Sequence, residues 1–275
     1  MKYTVQSGKY IVKNFWYILP FAIIPALLLS LSTDQEAVFC LIETLFSGNL
    51  QEAHFSHVFR AISIINFASW QAVVFGLLGI IGAVVCIAIM MALLDKHMRI
   101  GKRTYNGIFG KLNDNVLSTC GFVFLLFAIY EIWTLVTSAL LFLFMKITNL
   151  VVAYILLSLV YIVMHVVLIY LIGLIYLWLP CMQITGFHAT EALQYSQQLL
   201  VPVKWRIMWK QIVFLFIAQA LLCVCAFFLQ SGVAFWIITS VLYALLIMLF
   251  CVRMMVVYFD RDNIERADLK RYYQR

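Results

Sequence analysis

Hydrophobic residues form long uninterrupted runs along this chain, and two of the longest runs are neighbours in its middle. Residues 116–145 and 150–179 are almost entirely apolar, and only Lys146-Ile147-Thr148-Asn149 separates them. A helix needs about 20 apolar residues to cross the hydrocarbon core of a bilayer. Each run exceeds that length, so the pattern predicts two membrane-spanning helices joined by a short turn.

Four further runs have the length and composition of membrane spans, at residues 15–31, 71–94, 211–229 and 233–252. The second of these carries small residues at alternating spacings of four and three, which places them on one helical face. They are Ala72, Gly76, Gly79, Ala83 and Cys86. Small side chains let helices approach closely in lipid. We therefore expect an all-α, polytopic membrane protein with six transmembrane helices, forming a single integral membrane domain over residues 1–275.

Shorter amphipathic segments lie between the predicted spans. The residues Thr-Asp-Gln-Glu at 33–36 fit a capping box that would start the first of these segments. Its apolar stretch is too short to span, so we expect an interfacial or re-entrant helix. Interfacial helices are predicted at residues 34–46, 57–68, 102–112 and 189–200. The charged tail, residues 260–275, is expected to be helical or solvated.

Lysine and arginine are distributed unevenly about the predicted spans. With the N-terminus inside, 17 of the 19 basic residues fall on one side, because only Arg60 and Lys146 fall on the other. Basic loops stay in the cytoplasm, so both termini are expected to be cytoplasmic in a multi-pass protein of the cell membrane. The positive charge flanks apolar runs, which favours anionic head groups of the inner leaflet as partners and not nucleic acid. Long basic side chains near span ends reach toward head groups. The predicted head-group contacts are Lys102, Arg103, Lys111, Lys210 and Arg253.

Composition excludes a water-soluble globular protein, because 65% of the residues are hydrophobic and only 11% are charged. The seven cysteines show no CxxC spacing and are interpreted as small buried hydrophobic residues. His54 and His57 lie near Glu52, but two histidines and one carboxylate make an incomplete metal site. No HExxH, GxxxxGK[ST], GxSxG or GxGxxG motif occurs. The sequence therefore predicts no metal, no cofactor and no enzymatic activity.

Two ionisable residues lie near the middle of the central apolar runs, Glu131 in the first and His165 in the second. A charged group at the bilayer centre costs about 3 kcal/mol on insertion scales, so such residues usually face the bundle interior. One hypothesis is a proton- or ion-responsive pair lining a cavity, with Gln219 nearby. The other is a hydrogen-bonded polar contact that holds the spans together.

A short pattern occurs twice, at a constant offset of 189 residues. Ser7, Ile11, Trp16 and Ile18 match Ser196, Leu200, Trp205 and Ile207. In both places the pattern precedes a predicted outward-going span, and its tryptophan would lie at head-group level. An ancestral hairpin repeat and a chance match remain alternatives.

One segment resembles a known family. It is Gly186-Phe187-His188-Ala189-Thr190-Glu191-Ala192-Leu193, followed by Ser196, Leu199-Leu200 and Arg206-Ile207. It is similar to the six-helix membrane domain found beside some bacterial glycerophosphodiester phosphodiesterases, and to its stand-alone relatives. The resemblance covers most of the chain in layout but only this segment in residues. It implies a bacterial cytoplasmic membrane protein; the phosphodiesterase activity belongs to a separate soluble domain and is not implied.

These observations favour a non-enzymatic structural, regulatory or accessory component of the membrane, acting on lipid or with a membrane-protein partner. The alternative is a small-solute or ion transporter that uses Glu131 and His165. A cavity reaching both residues would favour transport, whereas a dry, packed hairpin would favour the accessory role.

Overall fold

The computed structural model describes residues 2–229 and 231–269, and nearly all of them are helical. The helices in chain order are α1 (Lys2–Lys13), α2 (Phe15–Ser32), α3 (Gln35–Ser47), α4 (Phe55–Ile62), α5 (Trp70–Ile100), α6 (Ile108–Met145), α7 (Leu150–Ile175), α8 (Trp178–Pro180), α9 (Ala189–Leu200), α10 (Lys204–Phe228) and α11 (Gly232–Arg261). Short 3-10 turns lie at Leu50–Glu52 and Ala267–Leu269, and a π-helical turn, Cys181–Thr185, follows α8.

Six segments in the described part of the chain are long and apolar enough to cross a membrane. They are α2, α5, α6, the segment Leu150–Thr185 that begins with α7, α10 and α11. The chain is therefore an all-α polytopic membrane protein. Most of these helices are longer than the predicted spans, because an apolar run marks only the part suited to lipid and helical hydrogen bonding continues beyond it. Thus α6 begins at Ile108, eight residues before the predicted residue 116.

The chain ends meet at one end of the bundle, which we call the basic face. There Lys2 donates to Asp260 across 2.6 Å, and Tyr10 and His97 form a hydrogen bond of 2.6 Å. At the other end, which we call the opposite face, Lys146 donates to the carbonyl of Ala53 across 3.0 Å. Residues 270–275 of the predicted tail lie outside the described residues.

Helix α2 packs between α5 and α11 at the centre of the bundle. The predicted small-residue face of α5 is buried in this contact, which confirms its role in packing against an internal neighbour. The closest approach is at Gly79, where a Cβ atom would lie 2.9 Å from Cγ and 3.1 Å from the backbone nitrogen of Leu29. Close contact between backbones is the main source of attraction between helices in lipid.

Helices α3 and α4 lie alongside the α6–α7 hairpin, with an apolar cluster between them. Ala53, just before α4, is near Lys146, whereas Ile64, just after α4, contacts Glu131. These two positions on α6 are about 22 Å apart at 1.5 Å per residue. Residues 53–64 therefore descend into the bundle, and the interfacial placement predicted for segment 57–68 is wrong. Helix α3 runs alongside, because Asp34 contacts Arg60 and the carbonyl of Leu45 accepts from Tyr154, which favours the re-entrant alternative for segment 34–46.

The predicted helix at 57–68 ends early, at Ile62. If α4 continued, the backbone N–H groups of Ile64 and Ile65 would bond to carbonyls one turn earlier; instead both donate to Glu131. A side chain distant in sequence thus ends the helix, which local apolar patterning does not reveal.

The interfacial helix predicted at 102–112 is not present as a separate element: residues 102–107 are not helical, and residues 108–112 form the start of α6. Gly101 and Gly107 adopt left-handed backbone angles, with φ of 77° and 72°, and residues 101–107 form a loop before α6. Glycine populates this region without steric strain, and each glycine marks a helix boundary here. The helix predicted at 189–200 is present with those bounds as α9.

The two copies of the repeated pattern occupy equivalent structural positions. Each begins on a short helix, α1 or α9, and continues into a long one, α2 or α10. Ser7 and Ser196 are both buried, whereas Trp16 and Trp205 are 80% and 70% exposed. Ile11, Leu200, Ile18 and Ile207 are all buried. This agreement in burial supports an internal repeat.

Candidate functional site

Glu131 lies half-buried in the middle of the apolar run of α6, and its carboxylate binds a loop. It accepts hydrogen bonds from the Ser63 hydroxyl at 2.9 Å and from the backbone N–H groups of Ile64 and Ile65 at 3.1 and 3.4 Å. Backbone outside a helix is tolerated at membrane depth only where its polar groups find partners within the protein. Glu131 supplies those partners.

Two helix breaks meet at this level, at residues 32–34 and 62–66. We call these residues, together with the side chains of Arg60 and Glu131 that bind them, the junction. The backbone N–H of Asn66 donates to Ser32 Oγ at 3.1 Å, which joins the break after α2 to the break after α4. Tyr130 donates to the carbonyl of Ile62 at 2.9 Å, and Thr33 is 3.0 Å from the hydroxyl of Tyr243. The junction is therefore a hydrogen-bonded polar layer inside an apolar bundle.

The junction also contains an ion pair that sequence reasoning missed. Asp34 is only 6% exposed. Its Oδ2 accepts from Arg60 Nε at 2.8 Å, and its Oδ1 accepts from the backbone N–H of Ala37 at 3.0 Å. The carboxylate thus caps α3 and ties it to α4. The capping box predicted at residues 33–36 is not formed, because the N-cap of α3 is Asp34 and not Thr33. That motif and the isolated position of Arg60 on the opposite side were the available signals, but neither indicated a partner.

His165 lies on α7 and is fully buried. Its Nδ1 is 2.8 Å from the carbonyl oxygen of Tyr161, and its Nε2 is 2.9 Å from Gln219 Oε1. Tyr161 donates to the same Gln219 oxygen at 2.7 Å. The ring also packs edge-on against Trp133 and stacks on Phe216. Each ring nitrogen thus lies within hydrogen-bonding distance of an oxygen, and a neutral imidazole donates to one of the two. The contact with Gln219 joins α7 to α10.

Glu131 and His165 lie at similar depth in the bundle. Trp133, two residues after Glu131, contacts His165 and donates to the carbonyl of Met164. No hydrogen bond or ion pair joins Glu131 and His165 in the described structure, because each side chain is bound to different groups. The structure brings Gln219 to His165, as the sequence predicted, but leaves Glu131 in the junction.

Arg253 was predicted to reach lipid head groups, and that prediction is wrong. Its side chain is 1% exposed. Its Nη2 donates to the carbonyl of Ile207 at 2.7 Å, and its Nη1 donates to Gln211 Oε1 at 3.2 Å. The side chain points toward α10, where these two acceptors lie. Arg253 therefore joins α11 to α10.

The remaining predicted head-group contacts lie at or near the basic face. Lys102 is exposed, and Lys210 is half-buried. Arg103 is exposed but donates to Asn14 Oδ1 at 2.8 Å and to the carbonyl of Lys13 at 2.9 Å. Lys111 donates to Asp95 at 2.8 Å. Arg103 and Lys111 are thus partly engaged by the protein itself.

Among the described residues, no group of three His, Cys, Asp or Glu side chains is arranged to hold a metal ion. His54 and His57 have ring centroids 5.9 Å apart on the opposite face.

Comparisons were made with protein-family models, with curated proteins and with solved structures. None gave a match. The resemblance carried by residues 186–207 to the six-helix domain of certain phosphodiesterases therefore stays a prediction. The site must be interpreted from its own geometry.

Proposed function

We propose that the protein is a non-enzymatic component of a bacterial cell membrane with a structural, regulatory or accessory role. The observation that supports this most is the binding state of the two intramembrane ionisable residues. Glu131 holds three donors of the junction, and the His165 ring lies between the carbonyl oxygen of Tyr161 and Gln219 Oε1, both within hydrogen-bonding distance. A side chain that carries protons or ions must release its hydrogen-bonding partners during transport. The partners of Glu131 and His165 are groups of the protein that hold helices and loops in place.

Flux measurements test this proposal directly. The purified protein in liposomes should show no proton, sodium or potassium flux above that of empty liposomes under an imposed gradient. Glu131→Gln and His165→Gln should leave that result unchanged. The proposal is contradicted if the native protein shows saturable flux and a correctly folded Glu131→Gln or His165→Gln variant does not.

We also propose that both termini lie in the cytoplasm. Support comes from the uneven distribution of basic residues, of which 17 of 19 are predicted on the side of the termini. Epitope tags at each end should resist protease in intact spheroplasts and be cleaved after lysis. Cleavage of either tag in intact spheroplasts contradicts this orientation.

Transport remains the second candidate, and the junction is the observation that favours it. Many transporters bind substrates where spans are interrupted near the membrane midplane. Here the break between α2 and α3 and the end of α4 meet beside Asp34, Arg60 and Glu131. A transport role would therefore use the junction, not a Glu131–His165 pair. Flux that depends on Asp34 and Arg60 but not on His165 would identify this case.

A further inference from the structure

A cleft at the basic face has both the charge and the room for an anionic group. It lies between the end of α5 and the start of α6, and its volume is about 190 Å³. One water occupies roughly 30 Å³ in the liquid, so the cleft holds far more than a single water. Three cationic side chains line it, Lys96, Arg99 and Lys111, together with one acid, Asp95.

The internal ion pairs leave this cleft with excess positive charge. Asp95 is buried and accepts from Arg99 at 2.6 Å and from Lys111 at 2.8 Å. One carboxylate thus serves two cations, and Lys96 contributes a third, whose ammonium donates to the backbone carbonyl of Asn106. Three positive charges against one negative charge leave a net charge of +2.

The cations keep free hydrogen-bonding capacity. The side chains of Arg99 and Lys111 are 42% and 48% exposed. A guanidinium has five N–H donors and an ammonium has three. Asp95 therefore fixes the position of these groups while most of their donors stay available to a ligand. An anion with several acceptor oxygens, such as a phosphate, matches this set.

The surroundings of the cleft indicate that this phosphate is carried by a lipid. Ile100 and Ile108 line the cleft beside the cations, and Ile100 is 46% exposed. On the adjoining part of α6, Phe109 and Leu117 are each 83% exposed. A phospholipid with its phosphate in the cleft could lay its acyl chains along these side chains. A soluble phosphate would gain nothing from them.

We propose that this cleft, formed by Asp95, Lys96, Arg99 and Lys111, is a specific binding site for the phosphate of an anionic phospholipid. The site is distinct from a general attraction to charged membranes. Lys102 and Arg103, predicted as head-group contacts, do not line it, whereas Lys96 and Arg99 were not predicted and do. The inference goes beyond the accessory role and does not depend on it.

Native mass spectrometry of the full chain in mild detergent tests the site. Phosphatidylglycerol should bind to one saturable site, and phosphatidylcholine should bind at least ten-fold more weakly. The variant K96Q/R99Q/K111Q should lose the tight phosphatidylglycerol site by at least ten-fold. The matched control K9Q/K13Q/K102Q removes three exposed charges outside the cleft and should keep it. Equal losses in the two variants would mean diffuse surface attraction and would overturn the proposal.

Two further arms separate the remaining explanations. The variant K96R/R99K/K111R keeps the positive charge and should keep phosphatidylglycerol binding. The thermal transitions of both triple variants are compared with that of the native protein, which shows whether a loss of binding comes from misfolding. Because K96Q leaves the Asp95 ion pairs intact, that single variant should still weaken phosphatidylglycerol binding; unchanged binding contradicts the proposal. Inorganic phosphate should compete only at millimolar concentration. If it binds as tightly as the lipid, the assignment to a lipid is wrong.

Discussion

At the scale of single residues, the polar groups inside this bundle mainly hold pieces of backbone. Glu131 binds two N–H groups of a loop, Arg253 binds a carbonyl of α10, and Tyr130 binds the carbonyl that ends α4. A backbone group without a partner in lipid costs several kcal/mol. These side chains are therefore required wherever the chain leaves helical geometry or where two helices need a fixed register.

The first prediction concerns Arg253. Arg253→Lys should lower stability by about 2 kcal/mol, because lysine keeps the buried charge but cannot bridge Ile207 and Gln211 with a planar fork. The measurement is reversible unfolding by SDS in mixed micelles. Lys210→Gln is the control, and its effect should stay within about 0.5 kcal/mol, as for surface changes. If the stability of the Arg253→Lys variant equals that of the native protein, the prediction that Arg253 contacts lipid head groups would be supported instead.

The second prediction separates the charge of Glu131 from its role as an acceptor. Glu131→Leu leaves the N–H of Ile64 without a partner and leaves the N–H of Ile65 only Ser63 Oγ, at 3.2 Å. An unpaired buried donor costs about 1–3 kcal/mol, so we expect a loss of about 2–3 kcal/mol. Glu131→Gln keeps one carbonyl oxygen for both N–H groups and should lose about 1 kcal/mol or less. Equal losses in the same SDS titration would show that charge, and not hydrogen bonding, is what matters.

At the scale of helices, the tightest contact is that between α2 and α5, and the third prediction tests it. Gly79→Ala should destabilise the protein by about 1–2 kcal/mol, because the new Cβ would lie 2.8 and 2.9 Å from side-chain atoms of Leu29 and 3.1 Å from its backbone nitrogen, so that Leu29 must shift. Gly82→Ala is the matched control, since its Cβ would be 3.6 Å from the nearest atom, in Leu28. Alanine favours a helix by up to about 1 kcal/mol over glycine, so the control should be neutral or stabilising. Thermal unfolding in detergent gives both values.

The helices themselves could be predicted from sequence, because a membrane span requires a long apolar run and such a run can be read directly from consecutive residues. The face containing Gly79 could also be predicted, since a helix repeats every 3.6 residues. The ends of helices could not. α4 stops because Glu131, 69 residues after Ile62, takes its next N–H groups. The partners of Asp34 and Arg253 were missed for the same reason. The sequence shows where a charged residue is, but it does not show which distant residue the side chain will bind.

At the scale of the whole molecule, the two copies of the repeated pattern are tied together at the basic face. Lys2 and Tyr3, at the start of α1, both bind Asp260 near the end of α11, at 2.6 and 2.7 Å. Tyr195, on α9, donates to Asp262 just after α11. The equivalent helices α1 and α9 are thus fastened to the same end of α11. We call these contacts the terminal latch.

The last prediction is that the terminal latch opens at high pH. Burial and the hydrogen bond to Asp260 raise the pKa of Tyr3 to about 12, and the hydrogen bond to Asp262 raises the pKa of Tyr195 to about 12. A tyrosine whose pKa is higher in the folded state stabilises that state fully below pH 10 and loses its contribution as pH rises from 10 to 12. Above pH 12, each phenolate would face a carboxylate.

The variant Tyr3→Phe/Tyr195→Phe should therefore melt at a lower temperature than the native protein at pH 9, and the difference in melting temperature should shrink by pH 12. Tyr105→Phe, at an exposed loop position, should follow the native protein throughout. If the double variant and the native protein keep a constant difference across this range, the hydroxyl bonds do not hold the helices together, and apolar packing of α1 and α9 must do so instead.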